Sequence, residues 1–312
     1  MPFSLESCRR VTRLRTLVLV TSMFTVAACG DSVDPTSPDT GDDIMTVLPA
    51  GNQPIASAFA GGIPFGNFAQ PVSQLGSIFN GAHENSTPTG LLRELQEIKS
   101  RGGKVILALS GSPRYYKDGA GNFSYTKWKE RVNRFRNVNF RSYVEDGTIV
   151  GHYLIDEPND PSNWNGKEVS SSMVEEMAKY SKSVWPTMLT IVRAEPKFMG
   201  DNHRYLDAAW AQYLSRRGNV NDYIKDVVNT AQRKGLALVV GMNVLKGGTP
   251  NGTRMTASEV ENWGSTLLSS SYPCAFINWE YSGDYYSSSS IRSAMSALRR
   301  KAENRSTKSC RA

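Results

Sequence analysis

The chain has 312 residues, 39% of them hydrophobic and 21% charged, with 6 Trp, 13 Tyr and 11 Phe. That supply of apolar side chains builds a packed core and excludes a mainly disordered, collagenous or coiled-coil chain. No apolar run reaches the roughly 20 residues of a spanning helix, which excludes a polytopic membrane protein, and four cysteines at this length do not make a disulfide scaffold. The formal charge is +7, unevenly spread. Residues 1–28 hold Arg9, Arg10, Arg13, Arg15 and Glu6, then the apolar stretch TLVLVTSMFTVAA, a pattern that predicts an export signal. Without them the charge falls to +4. Residues 30–43, GDSVDPTSPDTGDD, add five Asp and no cation, so the chain from residue 44 carries +9. Residues 29–50 are too polar and Pro-rich to bury a core and read as a short disordered tether. Residues 51–312 read as one domain. A +9 body suits acidic glycans or anionic surfaces, whereas no dense Lys/Arg block with interleaved aromatics marks a nucleic-acid partner.

Val26-Ala27-Ala28-Cys29, directly after the apolar stretch, resembles a bacterial lipobox. The resemblance implies a diacylglyceryl thioether on Cys29, cleavage before it and acylation of the new N-terminus. Several acyl chains on one residue anchor firmly where a single chain is marginal. Gly30 rather than Asp follows Cys29, so the resemblance implies an exported protein, lipid-anchored to the cell envelope at the outer membrane or cell surface.

From about residue 53, short apolar runs alternate with amphipathic stretches. The predicted strands are Ile55–Ala60, Gly76–Asn80, Lys104–Ser110, Thr148–Asp156, Leu189–Arg193, Asp207–Tyr213, Leu236–Asn243 and Cys274–Tyr281. Runs such as VILAL, ALVVGM and AFINW are apolar without alternation, as in strands covered on both faces. The predicted helices are Thr89–Arg101, Tyr125–Phe140, Ser171–Val184, Asn221–Lys234, Thr256–Ser269 and Ser290–Ala302, each with one apolar stripe. Thr256-x-x-Glu259 is a capping-box pattern, and Gly102-Gly103 and Gly235 end two helices just before a strand. Eight strands with interleaved helices in about 260 residues predict a single-domain (β/α)8 TIM barrel. Ala194–Leu206 is too short for a helix with its loops. A doubly wound sheet is the alternative, but no phosphate-loop pattern supports it. In a barrel the last helix runs back toward the strand N-termini, bringing Cys310 toward Cys274, a candidate disulfide that an exported chain permits.

Active sites form at the C-terminal strand ends of a barrel. There the sequence gathers Asn80, His83 and Glu84 after strand two, Asp156-Glu157-Pro158 after strand four, and Arg193 and Glu195 after strand five. Tyr213, Asn243 and Trp279-Glu280-Tyr281 close strands six, seven and eight. The sharpest segment is GHYLIDEP, residues 151–158, where an apolar strand runs straight into two carboxylates and a proline. Adjacent carboxylates disfavour double ionisation, so one retains its proton, as a general acid must. Ion pairing with Arg193 is the structural alternative. Tyr115, Tyr116, Trp164, Tyr281, Tyr285 and Tyr286 fall in loops at the same face, where aromatics pack on sugar C–H faces.

Here the chain resembles the clan A glycoside hydrolases. Their fourth strand ends in an Asn-Glu-Pro-like motif with the acid/base glutamate, and their eighth often carries a sugar-stacking tryptophan. The resemblance makes Glu157 the acid/base, with Asp156 in place of the usual Asn to tune or orient it, and Trp279 the floor of the subsite. Arg193, Asn243 and Tyr213 would hold hydroxyls or the second carboxylate, with His83, Asn80 and Tyr281 as further sugar contacts. The family nucleophile, a glutamate ending strand seven, is missing from GMNVLKGG. Glu280 and Glu195 are the substitutes, and the choice between them stays open. No HExxH or clustered His/Cys spacing occurs, so no metal or cofactor is expected. The partners expected are a carbohydrate and, through the anchor, a membrane, with the chain a monomer. The function expected is hydrolysis of a poly- or oligosaccharide. A non-catalytic glycan-binding lipoprotein on the same scaffold is the alternative, and a barrel enzyme such as a lyase is a third reading.

Overall fold

In the computed structural model the described residues are 62–201, 203–306 and 309–311. The export signal, Cys29, the tether and the expected strand Ile55–Ala60 lie outside the described residues. Eight parallel strands close in chain order into a barrel: β1 Phe65–Phe68, β2 Gly81–Asn85, β3 Lys104–Ala108, β4 Ile149–Asp156, β5 Thr190–Arg193, β6 Ala208–Tyr213, β7 Ala237–Met242 and β8 Ala275–Asn278. The helices are α1 Leu91–Ser100, α2 Tyr125–Asn133, α3 Arg141–Glu145, α4 Ser171–Val184, α5 Val220–Arg233, α6 Ala257–Ser269, α7 Gly283–Ser287 and α8 Ser289–Glu303. The fold is a (β/α)8 barrel.

Local chemistry sets most helix limits. The Thr256 side chain and Glu259 form the reciprocal capping box of α6, and Asn219 and Ser170 cap α5 and α4. The segment expected as one helix to Phe140 stops at Asn133, turns, and resumes as α3. Among the described residues between β5 and β6, one 3-10 turn, Pro196–Phe198, stands where most of the other crossovers carry α-helices.

The first two strands depart from the sequence expectation. β1 is FGNF, and β2 begins at Gly81, where Gly76–Asn80 was expected as the strand. Leu75 and Phe79 do bury, but in turns beside the barrel, and Asn80 takes the Phe65 N–H on its side-chain oxygen at 2.8 Å. Asn80 therefore sits at the N-terminal end of the barrel, opposite the mouth. His83 lies inside β2 and not in a loop after it.

Side chains alternate between barrel interior and outer layer. Ile106, Tyr153, Ile191, Trp210, Val239 and Ile277 share the interior cluster, with Phe68 packed on it. Leu107, Val240, Met242 and Phe276 face the helices in a separate cluster. Neighbouring strands meet so closely at Gly66 and Gly241 that a Cβ would lie 1.6 Å from the Gly81 oxygen and 1.9 Å from the Ile277 oxygen. No other residue fits at either position. At the floor, Cys274 and Cys310 form a disulfide across a sequence separation of 36 and join the interior cluster.

Closing a loop of that length restricts the unfolded chain by about 3–4 kcal/mol in the loop-entropy account. Paired Cys274→Ala and Cys310→Ala substitutions should lower unfolding stability by that order. Guanidinium unfolding of wild type with and without reductant checks this, and reductant should leave the double variant unchanged.

Candidate active site

Following the inward-facing positions upward, the interior turns from apolar to polar at the strand ends. On β5 Ile191 is followed by Arg193, on β6 Trp210 by Gln212, and beyond β7 and β8 come Asn243 and Trp279, which pair as an isolated bridge. Arg193, Trp210, Gln212, Asn243 and Trp279 line a cleft of about 430 Å³ at the mouth, with Glu157, Asp160 and Glu195 along its walls.

Arg193 is the centre of this arrangement. It is 6% exposed, and its guanidinium pairs with Asp156, reaches Glu157 Oε1 at 3.2 Å, donates to Gln212 Oε1 at 2.7 Å and covers the Trp279 ring at 4.0 Å. Burial opposes the cation, but Asp156, Tyr153 and Glu157 outweigh it and raise its pKa. The Tyr153 hydroxyl donates to Asp156 Oδ1 at 2.9 Å, and burial, with the Asp156 charge, pushes that phenol well above its ordinary value. Asp156 is thereby held in place by two partners.

Glu157 is placed differently. Its backbone is left-handed, with φ of 40°, and Pro158 follows. A residue of this type in that region carries strain of about 1 kcal/mol or more and persists only when its surroundings hold it. Here its N–H donates to the Arg193 carbonyl at 3.0 Å and its carbonyl accepts from Trp164 Nε1 at 3.1 Å. The side chain stays 42% exposed in the cleft. Burial raises its pKa, Arg193 pulls the other way, and the nearby Asp156 and Asp160 charges add to the rise.

Of the residues expected at the site, the structure gathers Glu157, Arg193, Glu195, Asn243 and Trp279 in the cleft, with Asp156 behind them. Glu195 is buried and pairs with Lys197 at 2.9 Å and Arg217 at 2.8 Å. The Asn243 side-chain oxygen accepts from the Lys246 N–H at 3.0 Å. Glu280 is half-buried and does not line the cleft.

Tyr213 points outward, donating to the Gly218 carbonyl at 2.7 Å and packing on Tyr223 and Trp263. One residue earlier, Gln212 takes the inward position, which the period of two dictates. His83 is fully buried, stacked on Phe68 at 3.7 Å, and burial lowers its pKa to about 3, so it stays neutral. Tyr281 stacks on Tyr286. The other aromatics expected at the mouth are mostly structural: Tyr116, Trp164, Tyr285 and Tyr286 are buried, and only Tyr115 is well exposed. Trp210, Arg216, Arg217, Lys246 and Asp160 also line the cleft. Strand parity was the available signal for Trp210 and Gln212. The loop charges carry no pattern that separates them from an ordinary solvated surface.

No protein-family model matches the sequence, and no curated protein matches it. Among solved structures the chain is similar to a β-glucuronidase from an uncultured Clostridium sp., with TM-score 0.50 and 9% identity over 77% of this chain and 50% of that one. It is also similar to the catalytic domain of the major endoglucanase from Xanthomonas campestris pv. campestris, with TM-score 0.46 and 13% identity over 72% and 84%. A GH18 chitinase from Pseudoalteromonas aurantia gives 0.45 and 12% over 75% and 99%. At such identities the likeness is one of fold alone, a closed eight-stranded parallel barrel.

Because Asp156 and Arg193 balance each other at 20% and 7% side-chain exposure, removing one strands the other. Asp156→Asn should destabilise the fold by on the order of 3 kcal/mol. Asp156→Asn with Arg193→Met should recover part of that loss. Denaturant melts of the two variants, with Arg193→Met alone completing the cycle, read the coupling.

Proposed function

We propose that this barrel is a glycosidase acting on a poly- or oligosaccharide, with Glu157 as the proton donor. The observation that carries the reading is the contrast within the acidic pair. Asp156 is tied to Arg193 and Tyr153, while Glu157 opens into the cleft with its pKa raised. A raised carboxyl keeps its proton above the usual carboxylate range, which is what donation to a leaving glycosidic oxygen needs. Trp279 also lines the cleft, as a wall against which a sugar would pack. Glu195 takes the role of second carboxylate in preference to Glu280, since Glu195 lines the cleft.

Glu157→Gln keeps the shape and removes the proton. Turnover of a cleaved glycan should fall by about 10²–10⁴-fold with the fold intact. In the wild type, the rate should decline as pH rises through the raised Glu157 value, and a pH–rate profile measures that limb. A non-catalytic glycan binder is the second reading, favoured by Asn243 standing where a strand-seven carboxylate would be. A binder retains glycan and releases no reducing ends, with wild type and Glu157→Gln alike.

The lipobox-like segment supports export and lipid anchoring through Cys29. In cells, Cys29→Ser should shift the protein from the membrane fraction to the soluble fraction, followed by fractionation and blotting.

A further inference from the structure

Five cations near the C-terminal strand ends have no carboxylate partner among the described residues. Arg216, after β6, and Lys246, after β7, line the cleft and are exposed, whereas the neighbouring Arg217 is taken by Glu195. Beyond β3, the Arg114 and Arg131 guanidiniums lie 4.7 and 4.2 Å from the Tyr115 ring centre. Arg114 donates to the Tyr115 hydroxyl at 2.7 Å, Arg131 Nε donates to the Ser110 carbonyl at 3.1 Å, and Arg134 Nε donates to the Arg131 carbonyl. β4, which leads directly into Glu157, runs between β3 on one side and β5 to β7 on the other. In strand order the two groups of cations therefore come on opposite sides of the β4 end, with Arg216 and Lys246 lining the cleft and Arg114 and Arg131 outside it.

The cleft floor points the same way. Arg193 Nε, Trp210 Nε1 and Gln212 Nε2 meet no protein acceptor, and each belongs to a side chain at least nine-tenths buried. All three are donors in this arrangement, as are the unpaired cations of the walls. A buried donor without an acceptor is unfavourable, and once Asp156 has taken Arg193 and Glu195 has taken Arg217, Arg216 and Lys246 are left with no ion-pair partner among the described residues. A ligand rich in acceptors and negative charge relieves both.

We infer that the cleft takes an acidic glycan, with Arg216 and Lys246 holding a carboxylate or sulfate on one side of Glu157 and Arg114 with Arg131 holding another on the opposite side. This rests on the glycan reading of the same cleft. It also assigns the surplus positive charge of the body a location, since the cations line the path that a chain across the mouth would follow.

The test uses the full chain carrying Glu157→Gln, so that no ligand is consumed, and calorimetry with three oligosaccharides of equal length: a galacturonate, a sulfated galactan and a neutral galactan. At about 50 mM salt an acidic ligand should bind about tenfold tighter than the neutral one, and the advantage should shrink at about 200 mM. The two acidic arms identify the anion. Arg216→Ala with Lys246→Ala, and separately Arg114→Ala with Arg131→Ala, should each weaken acidic binding about tenfold and leave neutral binding unchanged. Thermal melts confirm folding, and Arg114→Ala alone serves if the second pair fails to fold. Equal binding of the neutral ligand, or acidic binding unmoved by either pair, overturns the inference and leaves the glycan reading standing. No binding of any glycan overturns both. Double-stranded DNA competing as well as the acidic glycan marks a generic polyanion surface and overturns the inference.

Discussion

A single buried cation organises this end of the barrel. Arg193 faces inward at the end of β5, where a lone charge loses several kcal/mol of hydration. Its compensation comes from Asp156 at the end of β4, Gln212 on β6 and the face of Trp279 beyond β8. A guanidinium has a rigid planar fork, so satisfying it sets the relative positions of residues from four strands. Glu157 receives only the looser 3.2 Å contact and stays open. The group left free to act is therefore defined by what the arginine claims first.

How much of this was legible in the sequence follows from burial. β3 to β8 announced themselves because strands covered on both faces are apolar without interruption. β1 and β2 did not, because FGNF and GAHEN hide their inward positions behind glycine and polar residues. The Phe68–His83 stack fills the barrel there in place of aliphatic side chains, and the apolar run Leu75–Phe79 drew the expectation to a turn. The shortness of the link between β5 and β6 was visible from length alone. At the site, residue types were legible and orientation was not. A strand end that reads Gln-Tyr offers two hydrogen-bonding side chains, and parity sends Gln212 inward and Tyr213 into the helix layer. The aromatic loops misled for a related reason, since Tyr285 and Tyr286 belong to a short helix that buries them, with hydroxyls donated to the Met255 carbonyl and the Asn67 side-chain oxygen.

The two ends of the barrel answer to different demands. The floor is closed covalently by Cys274–Cys310, and the mouth holds strained backbone at Glu157 and the unmatched donors of Arg193, Trp210 and Gln212. Such features destabilise wherever they sit. At the mouth they sit at the end opposite the cross-link, in keeping with the separation of stability and activity that barrels display.

The same division bears on what kind of hydrolysis the mouth suits. A nucleophilic carboxylate must give up its partners to bond with the sugar, whereas a base that activates water can keep them. Glu195 is buried and gripped by Lys197 and Arg217 on its two oxygens, and β7 contributes Asn243 with no carboxylate. Under the glycosidase reading, a fixed Glu195 fits activation of water, or stabilisation of charge developing on the sugar, better than it fits covalent attack. Its two cations restrain its motion without closing the cleft it faces, and the proton that starts the reaction stays with Glu157, the acid whose side chain remains open.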